Sequence, residues 1–226
     1  MRKSLAFALA GTLAITAVAL AAPRNGGFET GDFSGGWKVK DPGSGDWFVY
    51  DGRSIVEAPR PRGLGGGPQF FRPPRGTYAA AAYQSGPGLN ILHRRLRLKD
   101  GEVNKLSFFL AWDNNGGQFV TPDNFDFEGG GAGRGAMGPP ENANQQFRID
   151  ILKPNAPVDT LKDSQILATL FKVRPSTQDR RRYKRERFNL TSLGLDGTVR
   201  FRVAEVDNLG ELPVGIDSVK LKSKPR

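Results

Sequence analysis

The sequence predicts an all-β protein built as an antiparallel β-sandwich, and three observations lead to this prediction. Short apolar runs recur between clusters of Gly, Pro, Asn and Asp, and the chain contains 29 Gly and 16 Pro in 226 residues. Several of these runs alternate apolar and polar residues, which is typical of strands with one buried face. No long stretch after the first 21 residues keeps the period of about 3.6 residues that marks an amphipathic helix.

The first 21 residues predict an export signal. Arg2 and Lys3 precede an apolar run rich in Ala and Leu, and Ala19-Leu20-Ala21 has the small-x-small pattern that signal peptidase cleaves. The alternative is an uncleaved membrane anchor, because the run approaches the roughly 20 residues that span a bilayer. We expect residues 1–21 to be removed and the mature protein, with no further membrane span, to be exported to the periplasm or the cell exterior.

Residues 22–226 are expected to form a single β-sandwich domain, since all-β domains of this length are common. The chain has no cysteine, which excludes disulfides, Cys-ligated metals and thiol catalysis. Its formal charge of +10 favours anionic partners such as acidic glycans, wall polymers, phospholipid headgroups or nucleic acid. Among these we expect a glycan or an anionic envelope polymer, and no specific nucleic acid. The alternative is that the charge serves solubility alone.

Individual strands can be assigned from their patterns. Residues 106–112 are apolar on both faces and predict a central strand with four residues on one side: Leu106, Phe108, Leu110 and Trp112. Residues 147–151 and 199–203 alternate apolar residues with Arg or Asp and predict strands with one solvated face each.

Two loops interrupt this pattern, at residues 60–76 and 128–140, and both are too rich in Gly to form regular elements. Long loops in a compact domain are often functional. The first loop carries two aromatic rings and a cation, Phe70, Phe71 and Arg72, which we take as candidate ligand-binding residues.

The two ends of this region carry a resemblance. Residues 25–37, Asn-Gly-Gly-Phe-Glu-Thr-Gly-Asp-Phe-Ser-Gly-Gly-Trp, and residues 214–221, Val-Gly-Ile-Asp-Ser-Val-Lys-Leu, resemble the opening and closing segments of galactose-binding-like jelly rolls in secreted bacterial proteins and carbohydrate-binding modules. The resemblance implies a jelly-roll sandwich whose first and last strands lie close together. It also implies a non-catalytic domain that binds a glycan through loops at one end.

The resemblance further implies a structural calcium ion near the first and last strands, with Glu29, Asp32 and Asp217 as candidate ligands. The sequence adds an argument, because Asp217 is expected to share its face with Val219 and Leu221 and to point inward. An unpaired buried carboxylate is costly without a cation, and Ca²⁺ prefers oxygen ligands. The alternative is that Arg24 or a turn amide satisfies these acids.

A second candidate ligand site lies where the central strand ends. Trp112 is followed by Asp113 and Asn114, and then by Asn115-Gly116, a strong turn signal. In the functional interpretation the Trp112 ring stacks on a sugar while Asp113 and Asn114 bind its hydroxyl groups. In the alternative, turn chemistry alone explains these residues. Trp37 is predicted to be a core residue.

Residues 180–187 form a basic tract with six cations in eight residues. We expect Arg180, Arg181 and Arg182 to lie in a loop and to bind an anionic polymer, with the chain entering a sheet near Tyr183. The alternative is a solvated run of charges that protects a sheet edge from aggregation.

Catalytic signatures are sparse. His93 is the only histidine, and neither a Gly-x-Ser-x-Gly elbow nor a His-Glu-x-x-His pair occurs. Four acids, Asp123, Asp126, Glu128 and Asp150, could converge as a glycosidase pair. The leading hypothesis is therefore a secreted, non-catalytic module that binds a glycan or envelope polymer; the alternatives are a basic adhesion protein that binds an anionic matrix by charge, and a glycoside-active enzyme.

Overall fold

The computed structural model describes residues 25–57, 71–83, 86–128 and 141–226. These residues form eleven strands, a short 3-10 turn at Thr191–Leu193 and no α-helix. The strands are β1 Lys38–Lys40, β2 Asp46–Tyr50, β3 Ile55–Glu57, β4 Ala79–Tyr83, β5 Gly88–Arg97, β6 Glu102–Trp112, β7 Gln145–Leu152, β8 Ile166–Lys172, β9 Arg180–Asn189, β10 Thr198–Asp207 and β11 Val214–Pro225. The expected export signal lies outside the described residues, and within them no helix could cross a membrane.

The strands form two sheets in which every pairing is antiparallel. The five-stranded sheet has the order β1-β5-β10-β7-β8, and the six-stranded sheet has the order β3-β2-β4-β11-β6-β9. The two sheets pack face to face around one main core. The predicted all-β antiparallel sandwich is therefore confirmed.

The core is built from the inward faces of the central strands. All four predicted inward residues of β6 are buried, and the Phe108 ring lies 5.6 Å from the Phe201 ring of β10. Trp37 is also buried, as predicted, and its ring makes an edge contact with Phe201 at 6.2 Å. Burial of each large apolar side chain contributes roughly 1.5–3 kcal/mol, so these strands supply much of the stability.

The predicted solvated faces of β7 and β10 are covered instead, because residues 153–165 fold across them. Asp150 is fully buried between two guanidinium groups. Arg148 donates to both of its carboxylate oxygens at 2.8 Å, and Arg202 of β10 donates to Oδ2 at 2.5 Å. Arg202 also donates to two carbonyl oxygens of the covering segment at 2.7 Å. Charged side chains thus hold this segment against the sheet.

The entry segment, rather than the first strand, lies beside the last strand. β1 belongs to the five-stranded sheet and β11 to the six-stranded sheet, so the expectation of adjacent terminal strands is wrong. The backbone of Val219 in β11 instead donates a hydrogen bond of 2.7 Å to the carbonyl oxygen of Gly26. Phe28 anchors the segment by stacking on Trp37 with ring centroids 5.2 Å apart.

We predict that Asp150→Ala lowers the free energy of unfolding by about 3–5 kcal/mol, because it leaves two arginines buried without their counter-charge. Urea denaturation followed by tryptophan fluorescence measures the change. Asp163→Ala, which removes an exposed carboxylate from the covering segment, is the matched control and should change stability by less than about 0.5 kcal/mol. Equal effects of the two variants would contradict this account of the buried charges.

Candidate functional site

The predicted residues of the central strand and the basic tract meet at one end of the sandwich. Trp112, the last residue of β6, is in register with Arg180, the first residue of β9. Arg181 Nε lies 2.9 Å from Asp113 Oδ2. The structure thus brings together five of the predicted ligand-binding residues: Trp112, Asp113, Asn114, Arg180 and Arg181.

The side chain of Trp112 does not form an exposed platform. It is 2% exposed, and its Nε1 donates to the carbonyl oxygen of Gln178 at 3.1 Å. The Arg180 guanidinium lies 4.1 Å from the ring centre, and the Phe147 ring lies 5.2 Å away within the core. The predicted stacking of this ring on a sugar is therefore wrong, because protein groups already cover the ring.

Asn114 serves the turn that follows the strand. Its side-chain Oδ1 accepts hydrogen bonds from the backbone of Gly116 at 3.0 Å and from Gln145 Nε2 at 2.9 Å. Its backbone N–H donates to Asp179 Oδ1 at 3.0 Å. These bonds agree with the turn interpretation of this residue.

The basic tract is part of the sheet from its first residue, so the predicted loop at residues 180–182 is wrong. Leu110 pairs with Lys184 but Trp112 pairs with Arg180, which leaves extra residues in β9 at an irregularity. Such a bulge bends the strand and lets it continue pairing. Arg180 forms an ion pair with Glu186, whereas Arg182 is exposed and forms no ion pair within the described part of the chain.

The described end of the first loop, residues 71–76, packs on the outer face of the six-stranded sheet, the face that points away from the main core. Phe71 is buried, and its ring makes an edge contact with the Tyr183 ring at 5.9 Å. Tyr50 Oη donates to the Phe71 carbonyl oxygen at 2.7 Å and lies 2.8 Å from Tyr183 Oη. These contacts assign Phe71 to packing. Arg72 is exposed, and Phe70 lies outside the described residues.

The sequence predicted that Asp217 shares its face with Val219 and Leu221, and this prediction is wrong. Val214 and Ile216 point into the core, so Asp217 lies on the outer face of the sheet. Ser218 then adopts a left-handed backbone with φ of 51°, and the register shifts by Lys220. This bulge returns Val219 to the core and leaves Asp217 on the opposite side.

Asp217 is nevertheless fully buried, and it lies near Glu29. A Cβ atom on Gly27 would lie 3.5 Å from Asp217 Oδ1 and 3.8 Å from Glu29 Oε1, so both carboxylates border the same glycine. Glu29 Oε2 accepts a hydrogen bond of 3.0 Å from the backbone of Thr77. Burial raises the pKa of Asp217 to about 7, and the negative charge of Glu29 adds to the rise.

Asp32, the third predicted metal ligand, is engaged elsewhere. Its carboxylate accepts hydrogen bonds from Thr30 Oγ1, from the backbone of Ser34 at 3.0 Å and from Asn25 Nδ2 at 3.3 Å. These bonds fix its own turn. Within the described ranges no three His, Cys, Asp or Glu side chains are placed to hold a metal, so the predicted set of three carboxylates does not assemble.

The backbone around Glu29 and Asp217 is unusual. Asn25, Phe28 and Ser218 have positive φ angles of 53°, 58° and 51° although none of them is glycine. Each such residue costs of order 1–3 kcal/mol, and such residues concentrate at ligand clamps and functional sites. The entry segment and the bulge therefore hold strained backbone on both sides of the two carboxylates.

The sequence analysis missed a cleft of about 380 Å³ between residues 122–128 and 141–143. Asn144 Nδ2 shapes it by donating to the Asp126 carbonyl oxygen at 2.9 Å, and Gln146 Nε2 donates to the Pro122 carbonyl oxygen at 2.9 Å. Two sequence signals lie here: the acids Asp126 and Glu128, which were considered as glycosidase candidates, and the run of residues 122–127, Pro-Asp-Asn-Phe-Asp-Phe, which carries polar side chains beside two aromatic ones.

The cleft presents aromatic rings beside polar groups. Phe125 and Phe127 line it together with Asp126, Glu141 and Asn142. In the part of the chain that the structure describes, the side chains of these last three residues make no hydrogen bond. The cleft therefore offers carboxylate and amide groups that can bind hydroxyl groups, next to apolar ring surface.

This chain is similar to known proteins in its fold, but its sequence matches no family. No protein-family model and no curated protein matches it. The structure is similar to TmCBM61, a carbohydrate-binding module solved in complex with β-1,4-galactotriose, with 13% identity and a TM-score of 0.50 over 89% of this chain and 97% of that chain. The expected galactose-binding-like β-sandwich, the jelly roll of carbohydrate-binding modules, is confirmed as the fold.

Two weaker similarities add no argument about function. A carbohydrate-binding module of the β-sandwich superfamily has 11% identity and a TM-score of 0.46, over 87% of this chain and 60% of that chain. A Stig cyclase from Fischerella sp. TAU has 18% identity and a TM-score of 0.40, over 91% of this chain and 99% of that chain.

We predict that the free energy of unfolding of Asp217→Asn, measured relative to that of the wild type at the same pH, increases as pH rises from about 5 to 7 in the presence of a chelator. Because burial raises the pKa of Asp217 from 3.8 to about 7, the native state holds a proton that the unfolded state has lost. Wild-type stability therefore falls with rising pH across this window, by on the order of 1 kcal/mol per pH unit.

Urea denaturation of both proteins at several pH values measures this difference. Wild type and variant must be compared at each pH, because the pKa of Asp207, which burial raises to about 8, makes the stability of both proteins depend on pH in the same range. A stability difference that does not change with pH would show that the Asp217 carboxyl titrates normally.

Proposed function

We propose that this protein is an exported, non-catalytic glycan-binding module. The observation that carries the proposal is the cleft at residues 122–128 and 141–143. In it the half-buried ring of Phe127 lies beside carboxylate and amide groups whose side chains make no hydrogen bond within the described part of the chain. The fold supports it, because the same sandwich occurs in a module that binds β-1,4-galactotriose. The charged start of the sequence and its cleavage pattern support export to the periplasm or the cell exterior.

The chemistry of the cleft favours a neutral glycan. The carboxylates of Asp126 and Glu141 accept hydrogen bonds from sugar hydroxyls but repel an acidic sugar. The Asn142 amide both donates and accepts, and the half-buried ring of Phe127 offers apolar surface to a pyranose face, whereas the ring of Phe125 is buried. Such a combination of a few polar groups with aromatic walls is typical of small-ligand sites.

Of the four acids in the glycosidase alternative, Asp126 and Glu128 line the cleft and Asp150 does not. Asp150 is buried between Arg148 and Arg202, on a covered sheet face, so it cannot act with the exposed acids of the cleft.

We expect neutral β-1,4-linked oligosaccharides, with β-1,4-galactotriose as the first probe, to bind at the cleft. Asp126→Ala and Asn142→Ala should each weaken binding by about tenfold, which corresponds to one lost hydrogen bond of roughly 1.4 kcal/mol. Isothermal titration calorimetry measures the affinities. The control Asp196→Ala removes an equally exposed acid from a distant loop and should leave the affinity unchanged.

A screen against a neutral-glycan array covers the case of another linkage. Absence of any neutral glycan from the bound set, or equal affinity of wild type and cleft variants for the glycan found, would contradict the proposed site.

We also propose a structural calcium ion at Glu29 and Asp217. The support is a fully buried carboxylate, a second carboxylate at the same glycine, and strained backbone on both sides. A Cβ atom on Gly76 would overlap the Glu29 carboxylate, so this glycine leaves room for it. Ca²⁺ takes 6–8 oxygen ligands. Two carboxylates would therefore share the ion with backbone carbonyl oxygens of the entry segment and the bulge.

We predict that about 1 mM calcium raises the melting temperature by about 5 °C or more, because an ion bound only by the native state stabilises it. Differential scanning calorimetry with calcium and with chelator measures the shift. Asp217→Ala and Glu29→Ala should abolish it. Asp32→Ala is the matched control and should retain it, since this carboxylate serves its own turn. A wild-type melting temperature indifferent to both calcium and chelator would refute the site.

A further inference from the structure

The outer face of the six-stranded sheet carries a regular array of cations on three of its six strands, β9, β6 and β11. Residues that are paired across adjacent strands point to the same face, and so do alternate residues along one strand. The registers place Arg187, Ser107 and Lys220 in one row across the sheet. The next row contains Lys105 and Lys222.

Six exposed cations from these strands form what we call the cationic face: Lys105, Arg185, Arg187, Lys220, Lys222 and Lys224. The guanidinium of Arg75 adds to it from the first loop, 5.9 Å from the ring centre of Phe109. At the paired positions of this face on the three strands, the only acid is Asp217, which is buried at one end. The face therefore has a strong net positive charge.

Solubility and edge protection do not account for this arrangement. Charges on β9 protect the edge of the sheet, because β9 is the last strand. Lys105, however, lies on β6, which is paired on both sides, and it stands directly opposite Lys222. Like charges in directly opposite positions destabilise an antiparallel pair. An anion bound above the sheet would attract both lysines and so offset the repulsion between them.

We propose that the cationic face binds a linear acidic polysaccharide, at a second site separate from the cleft. Cations on this face are spaced about 6.8 Å along a strand and about 4.8 Å between strands, so they form a flat grid that suits an extended chain with a charge on every sugar. The cleft cannot serve the same ligand, because its carboxylates repel polyanions. The two sites thus differ in the charge of their ligands.

The surroundings of the cationic face argue against other polyanionic partners. Membrane docking needs apolar side chains that enter the lipid. The exposed large apolar residues in the described part of the chain are Leu167 and Leu193, and neither lies on these three strands. Single-stranded nucleic acid needs stacking platforms, whereas the two aromatic rings on the outer face of these strands, Phe109 and Tyr183, are half-buried, Phe109 beneath Arg75 and Tyr183 against Phe71.

Binding of polygalacturonate, a polymer with one carboxylate per sugar, tests the proposal. The variant Lys105→Ser/Lys220→Ser/Lys222→Ser should weaken binding by about a hundredfold at about 50 mM NaCl, and wild-type affinity should fall steeply at higher salt. The control Lys38→Ser/Arg97→Ser/Lys153→Ser removes three exposed cations elsewhere and should lower affinity by less than about threefold. Affinity electrophoresis measures the binding, and thermal melting verifies that both variants fold.

Several results would contradict the proposed polysaccharide site on the cationic face. Equal losses in the two triple variants, or no binding by the wild type, would overturn the proposal. Tighter binding of anionic lipid vesicles or of oligothymidine than of polygalacturonate, with the same dependence on Lys105, would overturn the assignment to a polysaccharide. Asp126→Ala should retain polygalacturonate binding, so failure of the cleft as a glycan site remains distinguishable from failure of the cationic face.

Discussion

The bulge at Ser218 is the constraint on which both faces of the six-stranded sheet depend. A shift of one residue in a strand moves every following side chain to the opposite face. Without the bulge, Lys220, Lys222 and Lys224 would point between the two sheets, where burial of three ammonium groups is incompatible with a stable core. With it, Val219 enters the core and the lysines face outward. One residue with positive φ thus separates a buried carboxylate from a solvated cationic surface.

The entry segment complements this bulge. β4 pairs with β11 only as far as Ile216, and beyond that point the carbonyl oxygen of Gly26 accepts the hydrogen bond from Val219. The segment is held in place by Phe28, whose ring reaches the core. Packing of an aromatic ring therefore fixes the backbone that covers Asp217, and the carboxylate of Glu29 arrives with it.

Period-two patterning was sufficient to predict the sandwich, because inward residues of central strands such as Phe108 and Phe201 alternate without interruption. The same reasoning placed Asp217 on the wrong face, because Ser218 carries no local signal for a left-handed backbone. It also assigned a solvated face to the strand containing Asp150. The segment that covers this strand folds over it through tertiary contacts, which alternation within the strand does not encode.

The candidate sites show a similar division. The resemblance placed Glu29 and Asp217 close together, and the structure places both carboxylates at Gly27. The sequence proposed Trp112 and Arg180 as parts of two separate ligand sites, whereas the structure pairs them and buries the Trp112 ring that was expected to stack on a sugar. Trp112 combines a large apolar ring with one donor, and burial beneath Arg180 satisfies both properties. The cationic face could not be predicted from the sequence, because Lys105 lies more than a hundred residues before Lys220, Lys222 and Lys224 and meets them only through strand pairing.

The network of Arg148, Asp150 and Arg202 has a consequence for how this sequence can diverge. Replacement of one of the three residues leaves the others charged, buried and without a counter-charge, which is destabilising. Replacement of all three by apolar residues of similar volume can be neutral or stabilising. Single substitutions in this network are therefore selected against, whereas a simultaneous substitution of all three residues is tolerated. In related chains we expect these three positions to be either all charged or all apolar. The combination of residues at these positions should therefore indicate common ancestry better than the exposed residues of the surrounding strands.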